Sequence, residues 1–75
     1  NPDLERFTLA LHECTDALPP QKKELYFLRI VENYTIPQIA VIMDVPEGTV
    51  KSRIFNLLKE MREHLKQFEG LLSYP

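Results

Sequence analysis

The side chains of this chain best suited to chemistry stand together in Gly48-Thr49-Val50-Lys51-Ser52-Arg53-Ile54-Phe55-Asn56-Leu57-Leu58-Lys59. At about 100° per residue, Gly48, Ser52, Phe55, Asn56 and Lys59 share one face of a helix, with Thr49 and Lys51 on its flanks and Arg53 to the side. The face offers a cation, a hydroxyl, an amide and an outward aromatic. Those groups suit nucleic acid: lysine neutralises phosphate, asparagine pairs with adenine N6 and N7, and an apolar ring meets a thymine methyl. The competing reading is a plain solvated helix face. For Arg53, a phosphate contact and a salt bridge to an earlier helix stand equal. Gly48 and Thr49 open the helix, where free N–H groups and the dipole attract a phosphate. Ordinary capping is the alternative there, and both can hold.

Other chemistries find no footing. His12, Cys14 and His64 form no metal-ligand spacing. Glu60-x-x-x-His64 reads as a surface pair, and Cys14 as a core residue. There is no glycine-rich phosphate loop and no nucleophile–base set. The expectation is therefore no catalytic residue, no metal, no cofactor and no enzyme activity. Lys22, Lys23 and Arg29 could meet a nucleic-acid backbone, although charges on a solvent face are usually only solvated.

The elements that must carry this face are helical. Leu4, Phe7, Leu11, Cys14 and Leu18 are spaced as one apolar stripe and predict a first helix over residues 3–17. Pro19-Pro20 stops it, and Pro20 can open a second helix running to about Asn33. Leu25, Leu28 and Val31 form that helix's stripe. Tyr26, Phe27 and Ile30 widen it, which predicts burial on more than one side. Thr35-x-x-Gln38 fits a capping box with Pro37 in the first turn. Ile36, Ile39, Ala40 and Met43 make the inner face of this third helix, with Ala40 at the crossing with the fourth. Asp44 ends it in the left-handed region, and Val45 plugs the core from the turn. The last helix is expected from Glu47 to Phe68, with Val50, Ile54, Leu57, Met61, Leu65 and Phe68 inward and Leu58 at the edge of the stripe; Gly70 ends it. The third and fourth helices make a helix-turn-helix, a unit that lays its second helix in the DNA major groove.

Composition bounds the rest. Seventy-five residues, 44% of them apolar, make one small domain, 1–75, and the start at Asn1 suggests a piece of a longer protein. Glycine is scarce and β-branched residues show no period of two, so the fold class is all-α: four helices, a C-terminal helix-turn-helix and no winged elements. No apolar run reaches the ~20 residues that span a bilayer, so no membrane insertion is expected. A single cysteine fits a reducing cytoplasm. The net charge of −2 is unevenly spread. Residues 1–20 hold Asp3, Glu5, Glu13 and Asp16 against Arg6. Residues 45–68 hold Lys51, Arg53, Lys59, Arg62 and Lys66 against Glu47, Glu60 and Glu63. The basic end is the one to place on DNA, and such a modest excess predicts weak binding by the domain alone.

Leu18-Pro19-Pro20, Glu24-Leu25-Tyr26-Phe27-Leu28-Arg29, Ile39-Ala40-Val41-Ile42-Met43 and Gly48-Thr49-Val50-Lys51-Ser52-Arg53 occur in the order and spacing of a known family. The chain resembles region four of bacterial sigma factors, especially the extracytoplasmic-function group. The resemblance implies a four-helix domain that recognises the upstream (minus-thirty-five) element of double-stranded promoter DNA and directs RNA polymerase to initiate transcription. It also implies docking on the beta flap of the polymerase core and, in many members, capture by an anti-sigma factor. One departure stands out. Where the family usually has an aromatic or histidine followed by Arg-Ala-Arg, this chain has Phe55-Asn56-Leu57-Leu58. Asn56 then favours adenine where an arginine would grip guanine. Two rival readings are a sigma-like protein-interaction module that serves mainly as bait for an anti-sigma factor, motivated by the acidic balance and the missing arginines, and a response-regulator effector domain, against which Leu18-Pro19-Pro20 and Ser52-Arg53 argue. Four of the seven aromatic residues, Phe7, Tyr26, Phe27 and Tyr34, lie in residues 1–34. That surplus predicts a partly exposed apolar patch on the first two helices, away from the recognition helix, with Tyr26 or Phe27 as anchor.

Overall fold

A computed structural model describes residues 1–68. The described chain is helical, with no strand among the described residues: α1 (Pro2–Asp16), α2 (Pro20–Tyr26) running on into a π-helical turn (Phe27–Val31), α3 (Ile36–Met43), α4 (Glu47–His64) and a final 3-10 turn (Lys66–Phe68). The expected four-helix, all-α class is what is observed. Gly70 lies outside the described residues.

Two of the four helix starts are capped by a side chain. The Asn1 side chain accepts from the Asp3 amide at 2.9 Å, and Pro2 follows with no N–H to leave unpaired. The capping box of α3 is complete: the Thr35 hydroxyl accepts from the Gln38 amide at 3.3 Å, and the Gln38 side chain accepts from the Thr35 amide at 2.9 Å. The ends are equally local. Asn33 (φ 59°) and Asp44 (φ 56°) both take the left-handed conformation that asparagine and aspartate tolerate best after glycine. Beyond α2 the Glu32 amide donates to the Phe27 carbonyl and the Tyr34 amide to the Leu28 carbonyl, each at 2.9 Å. The Arg29 guanidinium donates to the Tyr34 carbonyl at 2.9 Å, so this cation is spent on tying down the α2–α3 turn.

The core is Leu25 and Leu28 of the second helical segment, Ile39 and Ala40 of α3, and Val50, Leu57 and Met61 of α4. Val45 packs against it from the turn, as do Ile36, Met43 and Ile54. The inner faces of α3 and α4 are thus those the apolar spacing indicates. α1 lies over this core through Leu11 and Cys14, half-buried, and has no buried residue of its own. Its Phe7 ring meets Phe68 edge-on, with centroids 5.5 Å apart.

Four expectations need correction. The second helix is not buried on more than one side: Phe27, Ile30 and Val31 are 49%, 47% and 58% exposed. Two rows of this helical segment can face a core made by α3 and α4, and among the described residues the third has nothing over it. Leu4 is half exposed, because α1 overhangs the core at its first turn. Leu58 is exposed and extends no core contact. α4 stops at His64 rather than Phe68; the Leu65 amide still bonds the Met61 carbonyl, and the tighter 3-10 turn then delivers Phe68 to Phe7.

Candidate nucleic-acid interface

The three residues 44–46 separate α3 from α4, and the turn is braced by the Val45 amide donating to the Ala40 carbonyl at 3.0 Å. This short turn, with Ile39, Ala40, Val50 and Leu57 buried in one cluster, locks the two helices as a unit. The opposite side of α4 is left to solvent. Lys51, Ser52, Phe55 and Asn56 line one shallow groove there, about 410 Å³ in volume. Phe55 is 68% exposed. Packing against a neighbouring helix therefore does not account for it.

Asn56 also borders a second groove, of about 420 Å³, where α4 faces the start of α2. Arg53, Asn56, Lys59 and Glu60 form its α4 wall, and Gln21, Lys22 and Leu25 its α2 wall. Arg53 thus turns toward α2, as its sideways position requires, yet among the described residues it has no ion-pair partner. The acidic partner is taken by another cation. Lys22 Nζ donates to both carboxylate oxygens of Glu60, at 2.7 and 2.9 Å, across α2 and α4. With the two side chains 40% and 49% exposed, such a pair contributes only ~0–1 kcal/mol to the fold. Glu60 therefore engages Lys22 rather than the helical neighbour His64. Glu60 also reaches Cys14 electrostatically: burial, and secondarily the Glu60 charge, push that thiol above its ordinary value.

Gly48 and Thr49 occupy the first turn of α4, whose N-cap is Pro46, with no capping side chain. The Thr49 amide donates to the Pro46 carbonyl at 3.0 Å, so it is not free. The Glu47 and Gly48 amides have no hydrogen-bond partner among the described residues. A Cβ built on Gly48 would meet nothing within 4 Å, and its φ is not positive. Packing does not demand glycine there, although glycine in a helix costs roughly 0.5–1 kcal/mol against alanine.

The structure thus brings Lys51, Ser52, Phe55 and Asn56 together, joins Arg53 and Lys59 to them through Asn56, and sets Gly48 and Thr49 at the near end. Gln21, Lys22 and Glu60 border the same surface and were not singled out as a group from sequence. The only signal for the Lys22–Glu60 pair is opposite charge, and a contact 38 residues apart has no local spacing to betray it. Among the described residues, no group of three or more histidine, cysteine, aspartate or glutamate side chains could hold a metal ion, and no helix is long and apolar enough to cross a membrane.

The family model described as Sigma-70, region 4 matches residues 8–61, from mid-α1 through most of α4. The chain belongs to the sigma-70 region 4 family. RNA polymerase sigma factor SigV of Bacillus subtilis is 40% identical over 55 residues, which are 73% of this chain and 33% of that protein. The chain therefore spans about a third of the length of the curated relative it matches. No solved structure matches it significantly. The region-four reading made from the four sequence blocks, with its extracytoplasmic-function affinity, is borne out.

Proposed function

We propose that the chain is the C-terminal DNA-binding domain of an extracytoplasmic-function sigma factor, recognising the minus-thirty-five element by laying α4 in the major groove while bound to RNA polymerase. The observation that carries this is the outward surface of α4. An apolar ring 68% exposed beside an amide, a hydroxyl and a lysine does nothing for the fold and matches the edges of base pairs. In this reading Ser52, Phe55 and Asn56 face bases, with Asn56 on adenine and Phe55 on a thymine methyl. Lys51, Arg53 and Lys59 neutralise phosphates. The open Gly48 amide meets a phosphate end-on, and the missing Cβ lets the DNA backbone approach, with Thr49 beside it. Residues 1–75 act as one domain of a longer cytoplasmic protein with no enzyme activity of its own.

The exposed row Phe27, Ile30 and Val31 favours a second role beside this one. It supplies an apolar surface for the polymerase beta flap, with an anti-sigma factor competing for it or for the DNA face. Tyr26 is half-buried, which leaves Phe27 as the anchor.

The test is duplex selection from a randomised pool, followed by salt titration. Lys51→Ala should weaken binding to all sequences by a similar factor. Asn56→Ala should relax preference at one base pair, by ~1–3 kcal/mol for a bidentate contact. A selected sequence unchanged by Asn56→Ala removes Asn56 from the reading set. Failure of the parent chain to bind any duplex at low salt sinks the assignment.

A further inference from the structure

The groove between α2 and α4 holds three cations and one anion: Lys22, Arg53 and Lys59 with Glu60. It shares Asn56 with the groove of the reading face, so a duplex seated on that face runs its backbone past this one. Arg53, Asn56 and Glu60 lie at i, i+3 and i+7, hence on one side of α4. Of the three cations, Lys22 is the one engaged among the described residues, doubly, with its ammonium between both oxygens of Glu60.

Resting on the DNA-binding reading, we infer that Glu60 sequesters Lys22 from the DNA backbone and so sets the strength of the domain's sequence-independent affinity. That affinity depends on how many phosphates are neutralised and how many counterions leave. A lysine held by a carboxylate releases no counterion, and the carboxylate adds a charge of the same sign as the phosphate. The pair does not need to exist for stability, since half-exposed ion pairs contribute little. Base contacts from Ser52 and Phe55 lie in the adjacent groove and do not depend on it, and Asn56 borders both grooves without bonding either partner of the pair. Glu60 thereby keeps phosphate-driven binding weak, so that base contacts and protein partners decide where the domain stays.

The experiment uses the full 75-residue chain, its Glu60→Gln variant and the Lys22→Gln/Glu60→Gln double variant, each checked for helix content by circular dichroism. Binding to a selected and a scrambled duplex is followed by fluorescence anisotropy across a salt series. Glu60→Gln should tighten binding to both duplexes and steepen the logarithmic salt slope by roughly 0.9, the effect of one further phosphate. Over a fourfold rise in salt that is an additional ~3-fold loss of affinity. The double variant should return the slope to that of the parent. A Glu60→Gln chain that folds but binds no tighter, or with an unchanged slope, overturns the inference and leaves the DNA reading intact. So does a double variant that keeps the steeper slope, because the gain would then not come from Lys22. A parent chain that binds neither duplex overturns both.

Discussion

Ala40→Leu tests the geometry on which the recognition surface depends. Ala40 is buried in α3, in the cluster that holds Ile39, Val50 and Leu57, and its carbonyl accepts the Val45 amide that closes the turn. Ile39, Val50 and Leu57 are 0%, 1% and 2% exposed, so they have no outward path by which to yield. A leucine brings three more carbons to this crossing. Overpacking of this kind costs ~1–3 kcal/mol, and the closed surroundings place it in the upper part of that range. A chain of this size has only about 4–11 kcal/mol of stability in all. At about 4–8 °C per kcal/mol for a small domain, a penalty of ~2 kcal/mol lowers the midpoint by about 8–16 °C. Thermal melts by circular dichroism measure this, with Val41→Leu as the internal control. Val41 is the next residue along and 80% exposed, so its variant should melt within ±0.5 kcal/mol of the parent. Equal melts for both variants would show that α3 does not present Ala40 to α4, and the assigned outward face of α4 would fall with it.

Three further outcomes follow from single sites. Asp44 has φ 56°, so Asp44→Gly should stabilise the domain by up to ~1 kcal/mol and Asp44→Val should destabilise it by ~1–2 kcal/mol, read from the same melts; a destabilised glycine variant would mean that the aspartate side chain matters more than the backbone. Cys14 should alkylate more slowly than an unfolded-chain thiol at mildly alkaline pH, because burial and the nearby Glu60 charge raise its folded value. The linked stability is present below the unfolded-chain value and is lost as pH rises through the folded one, so equal alkylation rates in native and denaturing buffer would refute the shift. Phe27→Ser should leave the melt nearly unchanged while lowering recovery of RNA polymerase in a pull-down with the sigma factor; recovery equal to the parent would move the polymerase contact elsewhere.

The local devices of this fold were legible because each is written within a few residues. Thr35 and Gln38 cap one another, Asp44 takes the turn, and the α4 stripe from Val50 to Phe68 keeps one side inward even where the helix gives way to a 3-10 turn. Apolar spacing alone did not separate core from interface. Phe27, Ile30 and Val31 have the residue types of a core row, and only the positions of α3 and α4 leave them uncovered. Long-range polar contacts were illegible for a related reason. Lys22 and Glu60, or Arg29 and the Tyr34 carbonyl, pair because of how helices and turns meet, and either cation could as well have been solvated. These two contacts also bear on the acidic balance that sits oddly with DNA binding. One cation is spent on a turn and another on a carboxylate, which in the proposed reading leaves Lys51, Arg53 and Lys59 as the phosphate-facing charge. Three such contacts would give the domain alone a logarithmic salt slope of roughly −2.7. In the proposed reading a domain delivered to promoters by polymerase would need no more than that, since the other contacts of the assembly would raise its effective concentration at the site.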